Sequence, residues 1–458
     1  MDWSRRGFIG GALSFGAFSG CRAFRAPSGL FSGVGAKLTL GVISDIHVDA
    51  APGDYKKFGD TAQFEKTLRW FDDQGVDGVV VAGDLADNGF ITQLQAVGDA
   101  WFRVFPGDKS TIDGRHVEKL FVYGNHDLEG QNYDQFGFRY FDKPSFEAAL
   151  ICRDPAKAWR LAFREEYAPI WMKEVKGYQF IGAQWKNGKD AWNGIPEVEP
   201  WFKEHADVID RTKPFFFIQH PHPGGTVYGG DAWGADKGYA KRALSAFPNA
   251  VALSGHSHSS LTDERSIWQG AFTSVGTASL RYGGSVDKFE QRQGMLLRVY
   301  EDRMTFVRRD FLHDESLGDD WVVPLPVSDP KPYEFKARGV RSIPPRFAAD
   351  AKLALAKFEG EDKAGKKTYG WTVTIPCADA GATRAFGYEV KAVFTDDKGQ
   401  RVELVEKPFD AKYNMPRFMS GAPTECVVKS EHVPGELAPE ITVAPLDCWG
   451  NRGEPITA

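Results

Sequence analysis

Six of the ten histidines in this chain lie in five short strings that also hold carboxylates and one amide. The strings are Asp45-Ile46-His47, Gly83-Asp84-Leu85-Ala86-Asp87-Asn88-Gly89, Gly124-Asn125-His126-Asp127, Gln219-His220-Pro221-His222-Pro223 and Gly255-His256-Ser257-His258. Imidazole nitrogen mixed with carboxylate oxygen is a donor set that suits zinc, iron, manganese or nickel. Alternate side chains of an extended segment share a face, so Asp45 with His47, and His256 with His258, are expected side by side. Gly83, Gly124 and Gly255 permit the sharp turns that would follow. Each residue taken singly has a plainer use. Asp45 and Asp84 suit helix N-caps, a lone His47 suits a surface or core, Asp87 suits a turn, and Asp127 a structural role. In the fourth string either His220 or His222 is the candidate ligand. His220 is favoured because it comes first off the preceding apolar run, which leaves His222 to contact substrate or cap a loop. His116, His205, His313 and His432 lack such neighbours and read as surface residues.

Each string directly follows a short apolar run: Leu38–Ser44, Val76–Ala82, Leu120–Tyr123, Phe215–Ile218 and Val251–Ser254. Such runs read as strands buried on both faces, and Tyr178–Ile181 is another. Thr61–Gln74 places Phe64, Leu68 and Phe71 on one helical face and stops at Gly75. Strands alternating with helices from Lys37 to about Val323 predict α/β layering, and an open α/β sheet presents its ligands beyond the carboxyl ends of the strands. The aromatic-rich stretch Leu128–Lys176 reads as a partly helical insertion above the sheet. The Pro-rich passage Pro324–Pro332 predicts a stiff linker. Beyond it Trp371–Ile375 and Tyr388–Phe394 alternate with period two, Asp396-Asp397-Lys398-Gly399 signals a hairpin turn, and no helical pattern follows about Lys357. The expected organisation is an N-terminal segment 1–36, an α/β domain 37–323, a linker 324–332 and an all-β domain 333–458, a small immunoglobulin- or fibronectin-like sandwich.

The order D-x-H, G-D-x-x-D, G-N-H-D, H, G-H-x-H resembles the calcineurin-like metallophosphoesterase superfamily over roughly residues 38–310. The resemblance implies a metallophosphoesterase-type β-sandwich core flanked by helices. It implies a metal-dependent phosphoric ester hydrolase with two divalent or trivalent transition-metal ions (Mn, Fe, Zn or Ni). One would be held by Asp45, His47, Asp84 and His258, the other by Asp84, Asn125, His220 and His256, with Asp84 bridging. A metal-bridged hydroxide would attack the phosphorus of a phosphomonoester or phosphodiester. His126 would act as general acid on the leaving oxygen, oriented by a hydrogen bond to Asp87. Asn88 stands where the protein phosphatases of that superfamily carry Arg, and Asp87 where purple acid phosphatases carry a Tyr ligand, so neither subclass matches.

Substrate choice is expected in two aromatic loops. One holds Tyr133, Phe136, Phe138, Arg139, Tyr140 and Phe141; the other runs from Gly224 to Trp233 and includes Tyr228. Tyr140, Tyr228 and His222 are the candidate substrate contacts, and a packed lid is the other reading of these loops. A function from another class is a non-catalytic or weakly catalytic cell-surface glycan-binding protein on the same scaffold, its C-terminal domain contacting the glycan. The full set of ligand-type residues weighs against it.

At the N-terminus, Ser4-Arg5-Arg6-Gly7-Phe8-Ile9 and the short apolar run ending at Gly20 resemble a twin-arginine export signal. The run is too short to span a bilayer. Ser19-Gly20-Cys21 resembles a lipoprotein processing site, with Phe18 in place of Leu, which implies lipidation of Cys21. The expected location is therefore across the bacterial cytoplasmic membrane, in the periplasm or cell envelope, with a lipid anchor. The five cysteines contain no C-x-x-C pair, so they indicate no thiolate zinc site. For Cys377, Cys426 and Cys448, a disulfide and buried free thiols are both open. The 458 residues are 42% hydrophobic and 26% charged, ordinary globular usage. A net charge of −6 offers no basic surface for a phosphate backbone. The expected partner is a small phosphate ester and not a nucleic acid.

Overall fold

The computed structural model describes residues 35–49, 60–128, 154–186, 194–230, 232–284, 289–361, 365–395, 399, 401–410, 412–415, 421–430 and 439–458. The export-type signal, Cys21, the loop carrying Tyr140, and His432 lie outside them.

Two mixed sheets pack face to face. The first runs β14-β13-β12-β1-β2-β3, with β15 also on β13. Its strands are β1 (Leu38–Ile43), β2 (Gly78–Ala82), β3 (Glu118–Val122), β12 (Gln293–Val299), β13 (Arg303–Asp310), β14 (Glu315–Ser316) and β15 (Trp321–Pro324). The second runs β4-β5-β6-β7-β9-β8. It comprises β4 (Ile170–Val175), β5 (Tyr178–Ala183), β6 (Phe215–Ile218), β7 (Ala250–Ser254), β8 (Ile267–Gln269) and β9 (Thr273–Gly276). A short hairpin, β10 (Tyr282–Gly283) with β11 (Phe289–Glu290), follows β9. Strands β1, β2 and β3 pair in parallel, as do β5, β6, β7 and β9.

Strands β1, β2, β6 and β7 are buried along their whole length because both faces are covered. Leu38, Leu40, Val42, Val80, Leu120 and Val122 meet Phe216, Ile218, Val251 and Leu253 in a core between the sheets. The alternate residues Val79, Val81 and Phe121 pack against α1 (Asp60–Asp73), α2 (Ile91–Val104) and α3 (Pro155–Phe163). On the far side Phe215, Phe217, Ala250 and Ala252 pack against α4 (Val198–Glu204) and α5 (Tyr239–Leu244). The result is a helix–sheet–sheet–helix stack. Helix α1 lies close enough to β1 that a Cβ on Gly41 would overlap the ring of Phe71.

The segment expected as a partly helical insertion also contains a strand. Ile170–Val175 forms β4 and pairs antiparallel with β5 across Lys176-Gly177. Both turn residues take positive φ, 49° and 77°, the backbone of a two-residue hairpin turn that follows strand twist. Within the Pro-rich passage Leu325 and Val327 pack on the inter-sheet core, as does Tyr333 just after it. Residues 335–341, expected within an all-β domain, form helix α6 (Phe335–Arg341).

Beyond α6 the described residues form strands and no helix. Strands β16 (Ala354–Glu361), β17 (Lys367–Ile375) and β20 (Thr424–Ser430) form one sheet. Strands β18 (Gly387–Thr395), β19 (Arg401–Glu406), β21 (Glu440–Leu446) and β22 (Ile456–Thr457) form the other. Val373, Ile375, Tyr388, Val390, Val428 and Val443 fill the space between them. Cys377, Cys426 and Cys448 are free thiols. Among the described residues no helix is long and apolar enough to cross a membrane.

Arg265 is one of the residues that clamp the sandwich to the α/β domain. Arg265, buried, pairs with buried Asp263 through Nη2 at 2.8 Å. Its guanidinium lies over the ring of Phe386 from the sandwich, 4.2 Å from the centroid. Tyr413, also from the sandwich, donates its hydroxyl to Asp263 at 3.3 Å. Removing one partner of a buried ion pair leaves the other charge uncompensated, at a cost of about 3–5 kcal/mol. Arg265→Ala is therefore expected to lower stability by about that amount in denaturant unfolding, and Arg265→Lys to recover only part of it, because lysine lacks the planar fork.

Candidate metal centre

The carboxyl ends of β1, β2, β3, β6 and β7 meet at one edge of the stack and deliver all five strings there. Asp45, His47, Asp84 and His258 place donor atoms within 4.8 Å of one another, and so do Asp84, His220 and His256. Asp84 belongs to both groups. Asp45 Oδ1 is 2.9 Å from His258 Nε2, and Asp84 Oδ2 is 3.0 Å from His220 Nε2 and 3.6 Å from His47 Nε2. Every one of these six side chains is buried. Asn125 is buried on the turn between β3 and His126.

The backbone reaches this arrangement by a route other than the extended one expected. Asp45, His47, Asp84, His256 and His258 have φ of 53°, 47°, 52°, 71° and 52°. Left-handed non-glycine residues are costly and cluster where a site over-determines them. Asp45 and His47 converge because the chain coils after β1, and the same holds for His256 and His258 after β7. Tight turns then demand glycine beside them. A Cβ on Gly83 would overlap the ring of His220, one on Gly124 would overlap the carboxylate of Asp84, and one on Gly255 that of Asp45. Asp127 ties the turns together, accepting from the backbone N–H of Ala86 at 2.7 Å and of Gly124 at 2.8 Å. Burial and the nearby charge of Asp84 push its carboxyl up to about 7, against the pull of those donors.

The residues present fit metal ions. Three imidazoles are fixed through Nδ1: His47 on the Asp87 carboxylate at 3.0 Å, His220 on the Ala82 carbonyl at 2.8 Å, His258 on the Tyr282 carbonyl at 2.9 Å. That pattern makes Nδ1 the donor and leaves the Nε2 lone pair aimed into the cluster, the tautomer a metal requires. Nε2 of His220 is buried and faces Asp84 Oδ2 at 3.0 Å. Burial disfavours charge throughout. On Asp45 it is outweighed chiefly by His258, and on Asp84 by His220 and His126, so both carboxyls sit well below their usual range. On His47 it is outweighed by Asp45 and Asp87, and on His220 by Asp84, which raises these imidazoles to about 10 and about 9. Protons thus occupy the metal-free cluster at neutral pH, and cation uptake must displace them.

Asp87 does not hold His126 in the expected way. Its carboxylate bonds His47, while its backbone carbonyl accepts from His126 Nδ1 at 2.8 Å. The side chain therefore positions an imidazole of the cluster and the main chain positions His126, whose own N–H donates to Asp84 at 3.0 Å. Losing such an outer partner of a ligating imidazole typically costs about 10–100-fold in metal affinity. Asp87→Ala is expected to show that loss in a competitive chelator titration, with far-UV circular dichroism unchanged.

Two candidate substrate contacts lie elsewhere. His222 is buried, both ring nitrogens lack a hydrogen-bond partner, and burial pushes its pKa down to about 3. Tyr228 is buried as well, its ring 5.5 Å from that of His222. They form a packed layer beneath the loop, not a substrate surface. Residues with no motif do reach the site. Tyr282 lies 4.4 Å from the ring of His258, and Arg281 donates to the His47 carbonyl at 2.7 Å. Trp233 stacks on His256 with centroids 4.7 Å apart and planes 24° from parallel. Arg281 and Tyr282 follow β9 in a stretch without a sequence signal, and only the meeting of the two sheets places them.

A family model described as calcineurin-like phosphoesterase matches residues 38–260. No curated protein matches the sequence. Among solved structures, a dimetal phosphatase from Danio rerio is similar at 11% identity and TM-score 0.40, covering 63% of this chain and 99% of that one. A conserved uncharacterised protein and predicted phosphoesterase from Streptococcus pneumoniae is similar at 13% identity and TM-score 0.29, covering 63% and 97%. Vacuolar protein sorting 29 from Cryptosporidium parvum is similar at 9% identity and TM-score 0.29, with the same coverage. With its α/β stack and its buried Asp/His cluster at the strand ends, the segment 38–260 is a calcineurin-like phosphoesterase domain.

Proposed function

We propose that this chain hydrolyses phosphate esters with two transition-metal ions, and that it does so outside the cytoplasm. One observation carries the reading. Donors from four strand ends, Asp45 and His256 being 211 residues apart, converge in a buried cluster with Nε2 turned inward. Asp45, His47, Asp84 and His258 would hold one ion, and Asp84, Asn125, His220 and His256 the other. When bound, such a pair activates water and neutralises charge on the phosphoryl oxygens. His126 would deliver a proton to the leaving oxygen. Its Nδ1 is held by the Asp87 carbonyl and its ring is only partly covered, at the rim of the cluster. The twin-arginine-like start and Ser19-Gly20-Cys21 support export and a lipid anchor in the cell envelope. The sandwich would act as a brace, since Arg265 Nη1 donates to the Tyr228 carbonyl at 3.3 Å and so steadies the loop over the cluster. Among the described residues of the sandwich no group supports a glycan-binding role.

The test is a screen of metals against substrates on the full chain, stripped and then reloaded. Hydrolysis of p-nitrophenyl phosphate or its bis ester is expected only after addition of manganese, iron, zinc or nickel. Absence of hydrolysis with every ion would overturn the reading.

A further inference from the structure

We infer that Trp233 is a stacking platform at the mouth of the metal centre, and that it selects phosphate esters whose alcohol portion carries a planar ring. The inference rests on the phosphoesterase reading and names its substrate class. Trp233 is 61% exposed. One face lies on the imidazole of His256, a member of the cluster, with centroids 4.7 Å apart. A large apolar ring left in water beside a buried polar site gains by covering its remaining face.

The loop is built to hold the ring there. At its base His222 N donates to the Gly234 carbonyl at 3.3 Å and Asp236 N to the His222 carbonyl at 2.9 Å. Buried Asp236 accepts from the N–H groups of Gly224, Gly238 and Ala240 at 2.8, 2.7 and 3.0 Å. Gly234 takes φ of 86°, and a Cβ there would sit 2.9 Å from His256. The chain after Trp233 thus passes close to His256 only because residue 234 is glycine. On the other side a Cβ on Gly229 or Gly230 would meet nothing within 4 Å, so that stretch of the loop is uncrowded among the described residues. The pinned base and the exposed tip together distinguish a platform from a floppy lid. A ring on the ester would stack on the indole while its phosphoryl group reaches the cluster. Stacking of this kind is sequence- and substituent-tolerant, so the shared chemistry is a flat π-system, whether aryl or nucleoside.

The experiment compares wild type, Trp233→Ala and Trp233→Phe in the metal-loaded full chain. Steady-state kinetics use 1-naphthyl phosphate, adenosine monophosphate and β-glycerophosphate. Calorimetric binding uses phenylphosphonate against methylphosphonate. Trp233→Ala is expected to lower the ratio of kcat/KM for ring-bearing over ringless ester about tenfold, through KM rather than kcat. It is also expected to lower the phenyl-over-methyl binding ratio by a similar factor, and Trp233→Phe to restore most of both. A role limited to steadying His256 would lower all substrates equally and leave the ratios unmoved, which would overturn the platform. Loss of selectivity for naphthyl alone assigns an aryl ester, and for adenosine alone a nucleoside. If wild type hydrolyses nothing yet keeps a phenyl preference that Trp233→Ala removes, the hydrolase reading falls and the platform stands.

Discussion

Asp84→Asn is expected to lower turnover by orders of magnitude and to halve the metal content, or worse, with the fold intact. Asp84 is the one carboxylate common to both donor groups. It also accepts the backbone N–H of His126 at 3.0 Å. An amide at this position keeps the size of the side chain and removes its charge, so it would be a weaker donor to either ion. If Lewis-acid stabilisation worth several kcal/mol is lost, kcat falls on the order of 10³-fold. The readouts are kcat on an activated ester, metal content by elemental analysis, and proton release on loading, followed in buffers of different ionisation enthalpy. Proton release should shrink in the variant, because Asp84 contributes the charge that raises His220. Retention of both ions with near wild-type turnover would remove Asp84 from the centre.

Gly83→Ala is the second. Gly83 has φ of 91°, a conformation that an L side chain adopts only under strain. Its Cβ would overlap the imidazole of His220, which is buried and held through Nδ1 by the carbonyl of Ala82. The ring has nowhere to withdraw, so either it swings out of the cluster or the turn after β2 moves, and that turn carries Asp84. Metal affinity is expected to fall at least tenfold and turnover about 100-fold, while thermal unfolding shifts by only a few degrees. Gly75→Ala is a fair control for the backbone term alone. Gly75 also has positive φ, 73°, but its Cβ would meet nothing within 4 Å. Equal effects of the two substitutions on metal affinity would show that strain, and not the ring of His220, is what Gly83 relieves.

The parts that were legible in the sequence share one property: they are local. An apolar run followed at once by a polar string announces a buried strand with a reactive tip, and β1, β2, β3, β6 and β7 are all of that kind. The hidden strand β4 shows the limit. Ile170-Trp171-Met172-Lys173-Glu174-Val175 alternates only in part, and it is a strand because β5 offers it a hairpin edge. In the centre itself the neighbours of Asp87 are decided by a contact of about 3 Å to a residue 40 positions away. The exchange of roles between its carboxylate and its carbonyl could not be read from the spacing G-D-x-x-D. The burial of His222 and Tyr228, against the exposure of Trp233 on the same loop, depends on which face that loop turns to β9 and to Arg265.

The residue types and their order along the chain determined that imidazoles and carboxylates would be offered at the ends of buried strands, since apolar content and backbone breaks act over a few residues. The packing of two sheets decided which atoms meet. It set the left-handed backbone at Asp45, His47 and Asp84, placed His256 beneath an indole and tied the sandwich to the loop through Arg265. Such contacts join residues far apart in the chain, and their distances are fixed only when every layer between them is filled.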